Sequence, residues 1–286
     1  MTDQTRMHCT PTIAAAVQSA IARLAAMPTA PLDARLLLGH VLGRTSTWLH
    51  VESEAVLPPD KLADFEAAVT RRAAGEPLAY ITGRREFWSL VLKVSPDVLV
   101  PRPETELVVE RALALVNHAA AQVADLGTGS GAIALSLAHE RSQWRVTATD
   151  RSAAALSIAM ANARALAIGN VQFLQGGWFE PLMQSRFDLI ASNPPYIAAA
   201  DPAMADPALR HEPLGALVSG ANGIEDLATL IAGACPHLLE NGWLVLEHGA
   251  TQAFAVADLL VAQGFRHVRC HTDLAGLPRV TEAQRP

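Results

Sequence analysis

The sequence predicts an α/β fold: a mostly parallel, Rossmann-like sheet covered by helices on both faces, preceded by a small all-α segment. Three observations lead there. Residues 12 to about 75 carry helical signals only, and from about residue 122 onward short apolar runs alternate with helical stretches. Between them a β-branched, alternating stretch breaks both patterns. Strand-helix alternation suits a parallel sheet, because each parallel connection must carry the chain back over one face.

Each element has its own signal. Thr12 is suited to cap a first helix, expected through Met27. After Pro28 and Pro31, Leu32, Leu36, Leu37, Val41 and Leu42 recur at helical spacing until Gly43 stops them. A third helix is expected to start at Pro58-Pro59-Asp60 and bury Leu62, Phe65 and Val69 before Gly75-Glu76-Pro77. From Tyr80 to Val100 apolar residues alternate (Phe87, Leu90, Leu92, Val94) and Ser95-Pro96-Asp97 closes the run, which reads as a hairpin. Val100-Pro101-Arg102-Pro103-Glu104-Thr105-Glu106 reads as a rigid turn into a helix with Leu107, Val108, Ala112 and Leu115 on its apolar side. Strands are expected near 122–126, 145–149, 171–174, 187–192 and 243–247, with 268–271 and a segment near Val280 as a final antiparallel pair. The expected division is a helical bundle over 1–79, a linking hairpin over 80–103 and the α/β domain over 104–286.

Composition narrows the function classes. The chain has 286 residues, half of them hydrophobic, enough for a large domain and a smaller companion. With 22 basic against 28 acidic residues the net charge is −6, without the basic excess of a typical nucleic-acid binder. Three scattered cysteines (Cys9, Cys235, Cys270) form no C-x-x-C and suit a reducing compartment. Gln18, Ser19 and Arg23 interrupt the alanine-rich N-terminal stretch, so no secretory leader is expected. No apolar run is long enough to cross a membrane. The expected location is cytoplasmic.

Two motifs carry chemistry. Asn193-Pro194-Pro195-Tyr196 directly follows the apolar strand around Leu189 and Ile190. The Asn193 side-chain oxygen and the Pro194 carbonyl can both accept hydrogen bonds from a planar NH2 group. Two prolines fix the backbone and carry no N–H to compete for those carbonyls, and Tyr196 offers a face on which a flat group can stack. The bland alternative is a proline-rich turn leaving a strand.

Upstream, Asp125-Leu126-Gly127-Thr128-Gly129-Ser130-Gly131 joins a strand to a helix, and the next strand ends at Thr149-Asp150. A glycine-rich crest followed by an acidic residue about 20 positions on is a nucleoside-binding arrangement. The glycine spacing is G-x-G-x-G, not the G-x-G-x-x-G that seats a pyrophosphate. That favours S-adenosylmethionine, an adenosine without phosphate, over a dinucleotide. Asp125 would repel a pyrophosphate but meet an ammonium group, directly or through water. Trp178, after the third strand, either packs against adenine or fills core. None of the ten histidines forms a recognisable ligand cluster, and no metal is expected.

Taken together, Gly75 to Gly83, Glu86-Phe87-Trp88, Pro101 to Glu106, Asp125 to Gly131 and Ser192 to Ile197 resemble the peptide-chain release factor glutamine methyltransferases, the PrmC/HemK family. Glu212-Pro213, Ala216-Leu217 and Leu246-Glu247-His248-Gly249 extend the likeness downstream, so that it covers nearly the whole chain. The resemblance implies an N-terminal helical domain that helps bind the release factor and a seven-stranded class I S-adenosylmethionine-dependent methyltransferase domain. It implies methylation of the side-chain amide nitrogen (N5) of the glutamine in the Gly-Gly-Gln motif of class-1 release factors. By position, Gly127, Thr128, Gly129, Ser130, Gly131, Asp150, Trp178 and Asn193 would contact S-adenosylmethionine. Asn193, Pro194, Pro195 and Tyr196 would hold the glutamine, with Asn193, Pro194 and Tyr196 as the catalytic set.

Two departures stand out. Gly177 occupies a position that is acidic in many members, and the tail Thr281 to Pro286 lacks the usual family ending, which would weaken the last strand. The expected partner is the protein substrate, with no direct nucleic-acid contact and a monomeric chain. The rival readings are a nucleic-acid amino methyltransferase acting on adenine N6 or guanine N2, and a non-catalytic S-adenosylmethionine-binding adaptor.

Overall fold

The computed structural model describes residues 10–286, so Cys9 lies outside the described residues. The chain divides into two compact units, Met1–Gly83 and Arg84–Pro286. The first division falls four residues beyond the expected end of the bundle, and the hairpin belongs to the second unit rather than standing apart as a linker.

The first unit holds five helices among its described residues. Helix α1 (Ile13–Arg23) is capped by the Thr12 hydroxyl, which accepts from the Ala15 N–H; it ends before Met27 because Leu24 to Met27 form a turn. Helix α2 (Ala30–Leu42) ends on Gly43 at φ 62°, the left-handed closure that glycine adopts without strain. Its buried face is rotated from the expected one: Leu37 and Leu38 are buried while Leu32 and Leu36 are exposed. The reason is Asp33, buried on that face and held by Arg72 Nε at 2.7 Å and the Thr29 hydroxyl at 3.0 Å. Helix α3 (Ser46–Val51), with a Thr45 cap, and α5 (Leu78–Thr82) are too short for periodicity to reveal; α4 (Pro59–Ala73) starts where expected. Leu37, Leu38, Phe65 and Val69 join α1 residues in one core.

The second unit opens with strands β1 (Arg84–Phe87) and β2 (Leu90–Lys93), paired antiparallel around Trp88 and Ser89, both at positive φ as a two-residue hairpin turn requires. The Asn162 side chain bridges the hairpin to the glycine crest, accepting from the Lys93 N–H and donating to the Lys93 and Ser130 carbonyls. Then follow α6 (Glu106–Leu115), β3 (Gln122–Leu126), α7 (Ala132–Glu140), β4 (Arg145–Asp150), α8 (Ala153–Ala165), β5 (Val171–Gln175) and β6 (Phe187–Ser192). The chain ends with α9 (Glu225–His237), β7 (Leu238–Glu247), α10 (Ala253–Ala262), β8 (Arg266–Thr272) and β9 (Pro278–Gln284).

Seven strands form one sheet in the order β5-β4-β3-β6-β7-β9-β8, the first five parallel and β9 antiparallel to both its neighbours. Alternate residues face opposite layers. Val123, Leu189 and Val245 pack under one set of helices, while Ala124, Leu126, Ile190 and Leu244 pack under the other. The tail does not weaken the sheet as the unusual ending suggested. β9 runs through Thr281 to Gln284 between β7 and β8, and its buried Glu282 pairs with Arg111 at 2.9 Å and His271 at 3.1 Å. An interior strand needs buried alternation and neighbours on both sides, which Val280, Thr281 and Ala283 supply.

The topology creates one special place. From β3 the chain runs outward through β4 and β5, then returns to β6 on the other side of β3. The loops after β3 and β6 therefore diverge and leave a crevice at the strands' carboxyl ends, where open α/β sheets bind ligands.

Candidate active site

That crevice is a cavity of about 270 Å³. One wall is the turn after β3 with Gly127, Thr128, Gly129 and Ser130; the others carry Asp150, Trp178, Asn193, Pro195 and the segment around Arg102 and Thr105. Gly131, Pro194 and Tyr196 are not among its walls. Gly131, at φ 86°, instead allows the helix behind to close in: a Cβ there would stand 2.9 Å from Leu135 Cδ1.

The glycine crest is shaped from beneath by Asp125. Its carboxylate accepts from the Thr128 hydroxyl at 2.6 Å and from the Ala134 N–H at 3.1 Å, an acidic group at the amino end of α7. Burial is complete and pushes its pKa up to about 7 against the pull of those two bonds. Asp125 is therefore turned under the loop and does not line the cavity, which leaves contact through water, the second of the two expected routes, as its way to a ligand ammonium group. Its Oδ1 is buried without a hydrogen bond.

Asp150 does reach the cavity. One oxygen accepts from the Gly129 N–H at 2.9 Å and the other from the Ser152 N–H at 2.8 Å, so the carboxylate is fixed in place while each oxygen keeps a free lone pair. Trp178, at φ 43°, lays its ring against Gly127: a Cβ on that glycine would meet the ring at 3.1 Å. At Gly177 the Glu180 carboxylate curls back and accepts its N–H at 3.0 Å, so an acidic group stands beside the position that lacks one.

The opposite side is built around Asn193. The Ser192 hydroxyl donates to the Leu126 carbonyl at 2.6 Å, tying the ends of β6 and β3 together directly below the crevice. Asn193 Nδ2 donates to Thr105 Oγ1 at 3.0 Å, which turns its Oδ1 away from Thr105 as a free acceptor. Pro194 and Pro195 are buried. The Tyr196 hydroxyl donates to Glu247 Oε1 at 3.3 Å, and its carbonyl accepts from Gln252 Nε2 at 3.0 Å. Burial first, and the Glu247 charge second, raise the phenol's pKa and keep it protonated.

Two further contacts roof the cavity. Buried Glu212 accepts from the Val100 N–H at 3.1 Å and pairs with Arg102. Arg151 donates to the Gly215 carbonyl at 2.8 Å. Both cations on the cavity wall are thus engaged with the protein. Thr105, Glu212 and Glu247 stand within the sequence motifs, but their roles come from partners that only the fold brings near. For Glu247 there was a signal: an acidic residue closing the apolar run Leu244-Val245-Leu246. Thr105 carries none, since its partner lies 88 residues away.

Residues 15–83 match the PrmC N-terminal domain family and residues 104–211 the methyltransferase small domain family. A release factor glutamine methyltransferase of Xylella fastidiosa is 49% identical over 89% of this chain and 93% of its own. That of Escherichia coli is 43% identical over 93% and 96%. Among solved structures, the Thermus thermophilus 16S rRNA N2 G1207 methyltransferase in complex with AdoMet and guanosine aligns with a TM-score of 0.54 at 20% identity, covering 71% of this chain and 50% of that one. It shares the fold.

Proposed function

The chain belongs to the release factor glutamine methyltransferase family, and from that premise we propose that it transfers a methyl group from S-adenosylmethionine to the side-chain amide nitrogen (N5) of the glutamine in the Gly-Gly-Gln motif of class-1 release factors. The observation that carries the reading is Asn193, fixed on the cavity wall with its NH2 bound to Thr105 and its carbonyl oxygen free to accept.

The cavity's donor set fits the cofactor. Asp150 is placed to accept from ribose hydroxyls, Trp178 offers an aromatic surface for adenine, and Gly127 to Ser130 bring backbone close to a ligand. Arg102 and Arg151 are committed to Glu212 and Gly215, so no free cation on the wall awaits a pyrophosphate. S-adenosylmethionine, when bound, supplies an electrophilic methyl group on a sulfonium.

The residues then do the rest by position. An amide nitrogen is a poor nucleophile because its lone pair is delocalised into the carbonyl. Asn193 Oδ1 on the cavity wall accepts one amide hydrogen, and the carbonyl of Pro194, next to it in the chain though not itself a wall residue, accepts the other in the same plane, so that the out-of-plane face of the nitrogen is presented to the methyl group. Positioning of this kind supplies several kcal/mol with no general base. As the nitrogen gains positive charge its N–H bonds polarise, and the same acceptors hold the transition state more tightly than the ground state. The proton leaves to water afterwards. Tyr196, tethered by its hydroxyl, stiffens the segment that carries those acceptors.

The helical unit is assigned to holding the release factor, in keeping with its match to the PrmC N-terminal domain family. The nucleic-acid alternative is not favoured, because the relatives are release factor glutamine methyltransferases and the net charge is −6. No helix among the described residues is long and apolar enough to cross a membrane. Incubation with labelled S-adenosylmethionine tests the reading: label enters a class-1 release factor and fails to enter the same factor with the motif glutamine changed to alanine. Equal labelling of both would refute it.

A further inference from the structure

The groups behind Asn193 form a chain that the proposed chemistry does not yet use. Glu247 ends β7 with 1% of its surface exposed. The Tyr196 hydroxyl donates to its Oε1 at 3.3 Å, while Oε2 is buried with no hydrogen-bond partner, an acceptor left open for the Thr105 hydroxyl, whose nearness lowers the carboxyl's pKa. Thr105 Oγ1 in turn accepts from Asn193 Nδ2 at 3.0 Å.

A threonine hydroxyl has one proton. If that proton points at an ionised carboxylate, the oxygen can only accept from Asn193, and the asparagine must present its NH2 to Thr105 and its Oδ1 elsewhere. Were the hydroxyl free to donate to Asn193, the amide could turn over and aim NH2 at the substrate, where a second donor would repel the glutamine's own NH2. The same carboxylate anchors Tyr196. One buried charge thus sets the direction of two side chains of the tetrapeptide.

We propose that Glu247 and Thr105 are positioning residues for methyl transfer, Glu247 orienting the Thr105 hydroxyl and Thr105 locking the Asn193 amide with its oxygen as the acceptor. The inference rests on the reading that Asn193 Oδ1 accepts the glutamine's amide hydrogen. It assigns a task to Thr105 in the Pro-Arg-Pro-Glu-Thr-Glu turn: that turn brings a single hydroxyl between two strand ends.

A pH dependence follows. Burial pushes the Glu247 carboxyl up to about 7, with Thr105, Tyr196 and Arg279 lowering it and Glu104 raising it. The ionised form orients the hydroxyl, so turnover rises with pH through that value and falls below it as the carboxyl takes up a proton.

The test is steady-state methylation of a purified class-1 release factor by Thr105→Val, Thr105→Ser, Glu247→Gln and Asn193→Ala, with S-adenosylmethionine affinity measured by calorimetry. Thr105→Val and Glu247→Gln are expected to lower kcat about tenfold or more while cofactor affinity stays within about twofold. Thr105→Ser, which restores the hydroxyl, recovers most of that loss, and the acid limb of the pH profile disappears in Glu247→Gln. The threonine pair decides the matter even if Glu247→Gln does not fold. Wild-type turnover in Thr105→Val, or equal loss in Thr105→Val and Thr105→Ser, overturns the inference. A slow Asn193→Ala beside a fast Thr105→Val removes this inference alone, whereas a fast Asn193→Ala removes the reading beneath it.

Discussion

The two halves of the crevice are built in opposite ways, although each rests on a fully buried carboxyl raised to about 7. On the cofactor side, Asp125 binds groups three and nine residues along the chain, the Thr128 hydroxyl and the Ala134 N–H. On the amide side, the bonds cross the chain: Asn193 to Thr105 spans 88 residues and Tyr196 to Glu247 spans 51. A local loop can be made by one short stretch of sequence. A site that must grip a weak nucleophile in one orientation draws on three separate segments: the turn before α6, the end of β6 and the end of β7. The difference separates binding from turnover, and the variants below test that separation.

The largest effect belongs to the amide side. Asn193→Ala is expected to cut turnover by about a hundredfold or more, as loss of a positioned acceptor at a charge-developing centre does. Cofactor affinity, measured by calorimetry, should stay within a few-fold; a matching collapse of affinity would mean the two halves are one.

Asp150→Ala should do the converse. Loss of a fixed carboxylate facing the cofactor weakens S-adenosylmethionine binding by about tenfold or more. Turnover at saturating cofactor changes far less. An unchanged dissociation constant would show that the ribose lies elsewhere.

Asp125→Asn sharpens the comparison through pH. The Asp125 carboxyl moves from 3.8 to about 7 on folding, so between those values the folded protein holds the extra proton. The stability this contributes is complete below about 3.8 and is lost as pH rises through about 7. Denaturant midpoints across that window should fall with pH in the wild type and fall less steeply in Asp125→Asn. Equal slopes would mean that Asp125 is ionised throughout.

Gly131→Ala gives the smallest effect. At φ 86° and 2.9 Å from Leu135 an added Cβ is strained, and a cost of about 1–3 kcal/mol is expected in thermal or denaturant unfolding. Because Gly131 does not line the cavity, cofactor affinity in the folded variant should change little.

These halves also differ in how far the sequence discloses them. The glycine crest, Asp150 and the strand ends at Leu126 and Ser192 were legible because each is a contiguous pattern: an apolar run, then a turn that only certain residues permit. The same holds for the Thr12 cap and the Gly43 stop. What stayed hidden was pairing over distance. Nothing in Leu32 or Leu36 tells that Arg72 would bury Asp33 and rotate the helix, and nothing in the last six residues tells that Glu282 would find Arg111 and His271. Asp125 differs again: an acidic residue before a glycine turn suggests contact with a ligand, and only the fold shows that the turn's own donors, the Thr128 hydroxyl and the Ala134 N–H, hold it beneath the loop.

The central claim is that this crevice presents a glutamine amide to a methyl donor. The most direct measurement incubates the wild-type protein with S-adenosylmethionine and a class-1 release factor and maps any added methyl group by peptide mass spectrometry. A single methyl on the glutamine of the Gly-Gly-Gln motif is the result expected. An unmodified motif, with methyl found on tRNA or rRNA in a parallel incubation, would mean that Asn193 serves a nucleobase and would contradict the account.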